Sequence, residues 1–131
     1  MCYLAWLRTL GVLCLSRGQL RAARTRFGLH ELVQIHHVVP RSCADHPTLR
    51  SVSYDVEECY NFVMMPTLHG RRRLNLRPDR LVHDGGHPKY CAFVRSRLDD
   101  VHTRHDMLHL VAQLHRAMRR ATIDGEEIPW C

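Results

Sequence analysis

The sequence predicts an α+β domain in which two short strands and a following helix form a core with helices on either side of it in the chain. Three observations point there. Residues 31–39 (ELVQIHHVV) alternate with β-branched residues enriched and stop at Pro40, residues 61–65 (NFVMM) form a second apolar run stopped by Pro66, and the chain beyond Gly85-Gly86 carries apolar residues at helical intervals. At 131 residues the chain is long enough for one modest core and too short for two. Residues 1–131 are therefore read as a single domain, divided into an N-terminal helical segment over 1–30, a core over 31–100, and a C-terminal amphipathic helix and tail over 101–131.

Residues 1–16 are apolar but interrupted by Arg8, and the unbroken run 9–15 falls short of the roughly 20 residues that span a bilayer. No small-x-small cleavage site follows before Arg17. Leu4, Leu7, Leu10 and Cys14 recur at helical spacing, so the segment reads as a helix packed on the domain, with no membrane partner. Residues 18–27 (GQLRAARTRF) form a basic helix or an extension of the first. After the first strand, residues 41–54 lack periodicity and read as a long loop, while 67–78, with Gly70 and a run of arginines, read as exposed. Asp84-Gly85-Gly86 must turn, and Pro88 suits the first turn of a helix over 88–98. Met107, Leu110, Val111, Leu114, Met118 and Ala121 mark a further amphipathic helix ending before Asp124-Gly125, and residues 126–131 read as a loose tail.

Hydrophobic and charged fractions of 45% and 24% are ordinary for a globular protein and exclude a disordered or fibrous class. Nineteen Lys plus Arg against thirteen Asp plus Glu give a formal charge of +6, almost all of it arginine. Arginine's planar fork matches phosphate, so the balance favours a polyanionic partner such as nucleic acid, with a merely solvated basic surface as the alternative. Six cysteines occur without a Cys-x-x-Cys pair and read as ordinary thiols, which favours an intracellular setting over a secreted one.

Of the eleven histidines, His102, His105, His109 and His115 fall on or beside the last helix, largely off its apolar stripe, and read as solvated. His105 and His109 share a helical face but have no third ligand in view; His30, His46 and His69 are loop or boundary residues. His36-His37 and His83-x-x-x-His87 differ because secondary structure aims both pairs at one place. Adjacent strand residues point to opposite faces, so either His37 reaches the site of His36 through a bend, or the two work on different sides of one substrate. A spacing of four across a Gly-Gly turn lets both His83 and His87 meet one ion. Three neutral nitrogens would leave positions open for water and a phosphate oxygen, and a further histidine suits a base near neutrality.

The strings His36-His37-Val38-Val39-Pro40, Asn61-Phe62-Val63-Met64-Met65-Pro66 and His83-Asp84-Gly85-Gly86-His87-Pro88-Lys89-Tyr90, with Val94 and Leu98, resemble in order and spacing the AHH family of HNH/endonuclease VII-type nucleases. The resemblance covers residues 33–98; Ile35 stands where the family has its alanine and Cys91 where an asparagine commonly follows the tyrosine. It implies a ββα-metal core over 31–100 and a metal-dependent endonuclease acting on DNA ahead of RNA. It further implies His37 as general base, His36, His83 and His87 as ligands of one divalent ion (Zn, Mg, Mn or Ni), and Asn61 as the brace of the loop bearing the base. Tyr90 either packs the helix or lines the site, and packing is preferred. No small-molecule cofactor is implied. Family members serve as toxin domains and as phage or viral enzymes.

Arg71, Arg72, Arg73, Arg77 and Arg80, and Arg41 directly after Pro40, are candidates for phosphate contacts, which add affinity without reading bases. The alternatives are a catalytically inactive nucleic-acid-binding module that keeps the metal-stabilised fold, and a helical interaction protein whose histidines are incidental. Oligomeric state is not written in these residues.

Overall fold

A computed structural model describes residues 15–130, so the helical reading of residues 1–14 falls outside the described residues. The described residues open with helix α1, Arg17–Arg26, started by a capping box: the Gln19 backbone N–H donates to Ser16 Oγ at 3.1 Å and the Ser16 backbone N–H to Gln19 Oε1 at 2.8 Å. Gly28, at φ 64°, turns the chain out of the helix toward β1, Val33–His37. This strand pairs antiparallel with β2, Phe62–Pro66, in a register that sets His36 opposite Val63 and His37 opposite Phe62.

β1 is shorter than the 31–39 run suggested, because Val38 and Val39 leave the ladder. The Val38 N–H donates to the Asn61 carbonyl at 2.8 Å and the Val39 N–H to the Asn61 side chain at 2.8 Å. The expected loop at 41–54 also contains structure: a 3-10 turn over Arg41–Cys43 and helix α2, Pro47–Ser51, capped by the His46 ring, which accepts from the Thr48 N–H at 3.2 Å. A second 3-10 turn, Cys59–Asn61, leads into β2. Likewise 67–78 is not all loop. Thr67 caps helix α3, Leu68–Arg73, by accepting from the Gly70 N–H at 2.9 Å, and Gly70 packs so closely on the Leu32 backbone that a Cβ there would overlap its carbonyl.

Helix α4, Pro88–Leu98, and helix α5, Arg104–Arg120, follow as expected, the latter opened by a Thr103–Asp106 capping box. The tail is not loose. After Ala121, left-handed at φ 61°, strands β3, Thr122–Ile123, and β4, Glu126–Glu127, form a hairpin across Asp124-Gly125, both at positive φ, as a tight two-residue hairpin turn requires. The Ile128 N–H then returns to the Ala121 carbonyl at 3.0 Å and Trp130 is buried.

The core lies between α4, α5 and the loop joining the two long strands, with Leu98, Met107, Leu108, Leu114 and Met118 meeting Val38, Val39, Met65, Tyr90 and Val94. His115 belongs to it, contrary to the solvated reading: its Nε2–H donates to the Tyr60 carbonyl at 2.6 Å, and burial, then Arg119, pushes its pKa down to about 4. Cys43 and Cys91 are free thiols, whereas Cys59 is disulfide-bonded, which corrects the expectation for that residue. No helix among the described residues is long and apolar enough to cross a membrane.

Candidate active site

The end of β1 divides two adjacent imidazoles between two environments. His36 turns toward His83 and His87, with ring centroids 4.8 and 5.7 Å away, and those two lie 5.1 Å from each other. One nitrogen from each of the three falls within 4.8 Å of the others, which makes this the one such group of three candidate metal-binding side chains among the described residues. Strand alternation is obeyed: His37 turns the other way, packs on Phe62 at 4.8 Å, and places Nε2 3.0 Å from Glu57 Oε1. Both histidines nonetheless border a single cleft, whose wall also includes His83, His87, Gly85, Gly86 and Arg41.

Each ligand candidate is fixed through its backbone. The His83 N–H donates to the Pro66 carbonyl at 2.8 Å, continuing from the end of β2. Gly85, at φ 98°, makes the turn that returns His87 to the same wall, where it stands at the N-cap position of α4 without a side-chain capping bond, with Pro88 in the first turn. The Tyr90 hydroxyl donates to the Val38 carbonyl at 2.6 Å, tying α4 to the end of β1, so this fully buried side chain packs the helix while its ring also reaches the cleft.

Burial, reinforced by His83 and His87, pushes the His36 pKa down to about 3, and burial likewise lowers His87. These rings are thus neutral at physiological pH and carry lone pairs. His36 Nδ1, His83 Nδ1 and both nitrogens of His87 are buried without a hydrogen-bond partner. Such unpartnered ring nitrogens are costly in an apolar interior; each neutral ring has one lone pair to offer a divalent ion, and an all-imidazole set suits the borderline metals such as Zn²⁺ or Ni²⁺.

Asn61 is fully buried and uses both ends of its amide. Oδ1 accepts from the Val39 N–H at 2.8 Å and the Tyr54 hydroxyl at 2.7 Å; Nδ2 donates to the carbonyls of Val39 at 3.0 Å and Val56 at 2.7 Å. It does not touch the cleft. It ties the backbone two residues beyond His37 to the start of β2.

A family model described as a nuclease family of the HNH/ENDO VII superfamily with conserved AHH matches residues 18–122. The chain belongs to this AHH nuclease family. No curated protein and no solved structure matches it. The ββα arrangement of β1, β2 and α4 is the HNH-like fold, and nucleases of that superfamily use a divalent metal and act on nucleic acid. In this AHH nuclease Ile35 replaces the alanine of the family's AHH triplet.

Of the six arginines singled out in the sequence, Arg41 alone reaches the cleft, exposed beside Glu57 at 3.5 Å. Arg72 and Arg73 are exposed on α3 and Arg77 is paired with Asp79. Arg71 donates to the Arg80 carbonyl at 3.0 Å, and Arg71 and Arg80 border a separate cavity with Arg120 and Trp130. The Arg80 guanidinium is lowered by burial and then by Arg119.

Two residues of the site escaped the sequence reading. Trp130 stacks on His87 at 4.1 Å and 32°, lies 5.5 Å from His36, and donates its indole N–H to the Val82 carbonyl at 2.8 Å. It lies beyond the span that the family model matches. Its signal was the hairpin turn Asp124-Gly125 followed by alternating Ile128 and Trp130. Glu57, opposite His37, carried no signal.

Proposed function

We propose that this chain is an endonuclease that hydrolyses phosphodiester bonds of DNA or RNA, with His37 as general base and His36, His83 and His87 holding one divalent ion. The observation that carries the reading is the single cleft bordered on one side by three imidazoles that each bury a ring nitrogen without a hydrogen-bond partner, and on the other by an imidazole held separately by Glu57. An ion bound there supplies Lewis-acid stabilisation of the charge that develops on the phosphate and on the departing oxygen.

The chain's own residues supply the rest. His37, outside the ligand cluster, removes the proton of an attacking water, for which a neutral imidazole suits. Asn61 holds the backbone that follows His37, so the base keeps its place at the end of β1. Arg41, at the cleft's rim, offers a guanidinium to a backbone phosphate, an interaction that would make binding weaken as salt rises.

The test is incubation of supercoiled plasmid and of structured RNA with the protein and Zn²⁺, Ni²⁺, Mn²⁺ or Mg²⁺, parent against His37→Ala. The parent should cleave. His37→Ala should bind metal with unchanged stoichiometry and cleave roughly 10²-fold or more slowly, the range for loss of a general base. Equal cleavage by His37→Ala would refute the base assignment, and unchanged metal binding in His83→Ala would refute the ligand assignment.

A further inference from the structure

Glu57 is more than a surface partner of His37. The His37 side chain is only 14% exposed, its ring is packed on Phe62, and the nitrogen that faces the carboxylate is Nε2, at 3.0 Å. Glu57 is anchored at its backbone, and its carboxylate, 43% exposed, faces two arginines. The Glu57 backbone N–H donates to Asp55 Oδ1 at 2.9 Å, and Arg41 Nε and Arg17 stand 3.5 and 3.9 Å from its two oxygens. The Asn61 amide that binds the Val39 carbonyl, two residues after His37, also binds the Val56 carbonyl, one residue before Glu57. One side chain thus clamps the backbone close to both members of the pair, two residues after His37 and one before Glu57, which an incidental surface ion pair would not require.

We propose that Glu57 is the positioning residue of His37, accepting a hydrogen bond from Nε2–H and leaving Nδ1 as the nitrogen that takes the proton from water. The chemistry is directional. An ionised carboxylate only accepts, so the ring nitrogen facing it must carry the hydrogen and the lone pair must sit on the other nitrogen. As the proton arrives at Nδ1 the ring becomes an imidazolium, and the adjacent carboxylate, though partly exposed, stabilises that charge while remaining ionised, as a carboxylate does beside the histidine of other hydrolases. The proposal rests on the reading of His37 as the base.

Two measurements test it. In protein labelled with ¹⁵N-histidine and free of metal, at a pH where the imidazoles are neutral, His37 is assigned by the signals lost in His37→Ala. It should show a hydrogen-bonded Nε2–H that exchanges slowly with solvent, and Glu57→Ala should abolish that slow exchange while Glu57→Gln, whose Oε1 still accepts, preserves part of it. In cleavage assays Glu57→Ala should lower kcat tenfold or more, leaving KM and metal affinity unchanged, with Glu57→Gln recovering part of the loss. A hydrogen on His37 Nδ1 in the parent, or Glu57→Ala with unchanged exchange and unchanged kcat, overturns the proposal. The two failures are distinguishable: the base reading falls if His37→Ala cleaves like the parent, whereas the Glu57 assignment is read from the ¹⁵N spectra without any turnover.

Discussion

Replacing Asn61 by alanine removes four hydrogen bonds from a fully buried position: two accepted by Oδ1, from Val39 and Tyr54, and two donated by Nδ2, to Val39 and Val56. A polar group left unpaired in the interior costs about 1–3 kcal/mol. The Tyr54 hydroxyl can rotate to another acceptor and a water can enter the space vacated by the amide, so the sum falls below the simple total. The expected loss is about 4 kcal/mol, a large part of the roughly 5–15 kcal/mol that holds a domain together. Urea unfolding followed by tryptophan fluorescence measures it as a shift of the midpoint. Asn61→Asp sharpens the test, because it keeps the Oδ1 acceptor but sets a second oxygen against the Val39 and Val56 carbonyls; its deficit should match that of alanine at neutral pH and shrink as acid protonates the carboxyl. A loss below about 1 kcal/mol for Asn61→Ala would show that the loop is held by other contacts and that the clamp is misread.

Trp130→Ala removes the stack on His87 and the bond to Val82, and should weaken metal binding about tenfold, as loss of a ligand's orienting neighbour does; chelator competition reads this, and affinity within twofold of the parent would count against it. His115 binds its proton less tightly folded than unfolded, since its pKa falls from the usual 6.5 to about 4. Its contribution is therefore complete above pH 6.5 and fades as pH drops toward 4, costing about 2 kcal/mol between pH 7 and pH 5. His115→Gln can still donate to Tyr60 but does not titrate, so its stability should fall less over that interval, with parallel pH profiles as the refuting result. Gly70→Ala should destabilise by about 2 kcal/mol through the clash with Leu32, measured by thermal melting, and a neutral effect would mean that α3 can move away.

The parts of the fold that the sequence showed are those with enough residues to display a period. β2 ends at Pro66 and β1 three residues short of Pro40, and α4 and α5 announce themselves by Pro88 and by an apolar stripe. The five-residue α2 and six-residue α3 are too short for periodicity and exist through their caps, His46 and Thr67, and through packing such as Gly70 on Leu32. His115 was misread because α5 is buried over more of its circumference than a single stripe, with Leu108, Ala112 and Ala117 inside as well. The approach of His83 to His87 was legible because the turn at Gly85-Gly86 fixes where those side chains go, whereas the direction of His36 follows from strand alternation in a register that the sequence left open. The contacts of Glu57 and Trp130 were not, since they join segments 20 and 43 residues from their partners' positions in the chain, and no local pattern encodes such a meeting.

The pairing of His36 with Val63 and of His37 with Phe62 makes their difference a matter of parity. Chemically the two are the same residue, and only odd or even place along the strand sends one to the imidazole cluster and the other to Glu57. A single residue inserted between His37 and Val38, whose backbone is anchored on Asn61, would exchange the two directions without altering any functional group. Residues added in the stretch between α2 and Tyr54 would leave that parity intact, provided the Asn61 clamp still closed. The chain is thus tolerant of length on one side of the clamp and intolerant of it on the other.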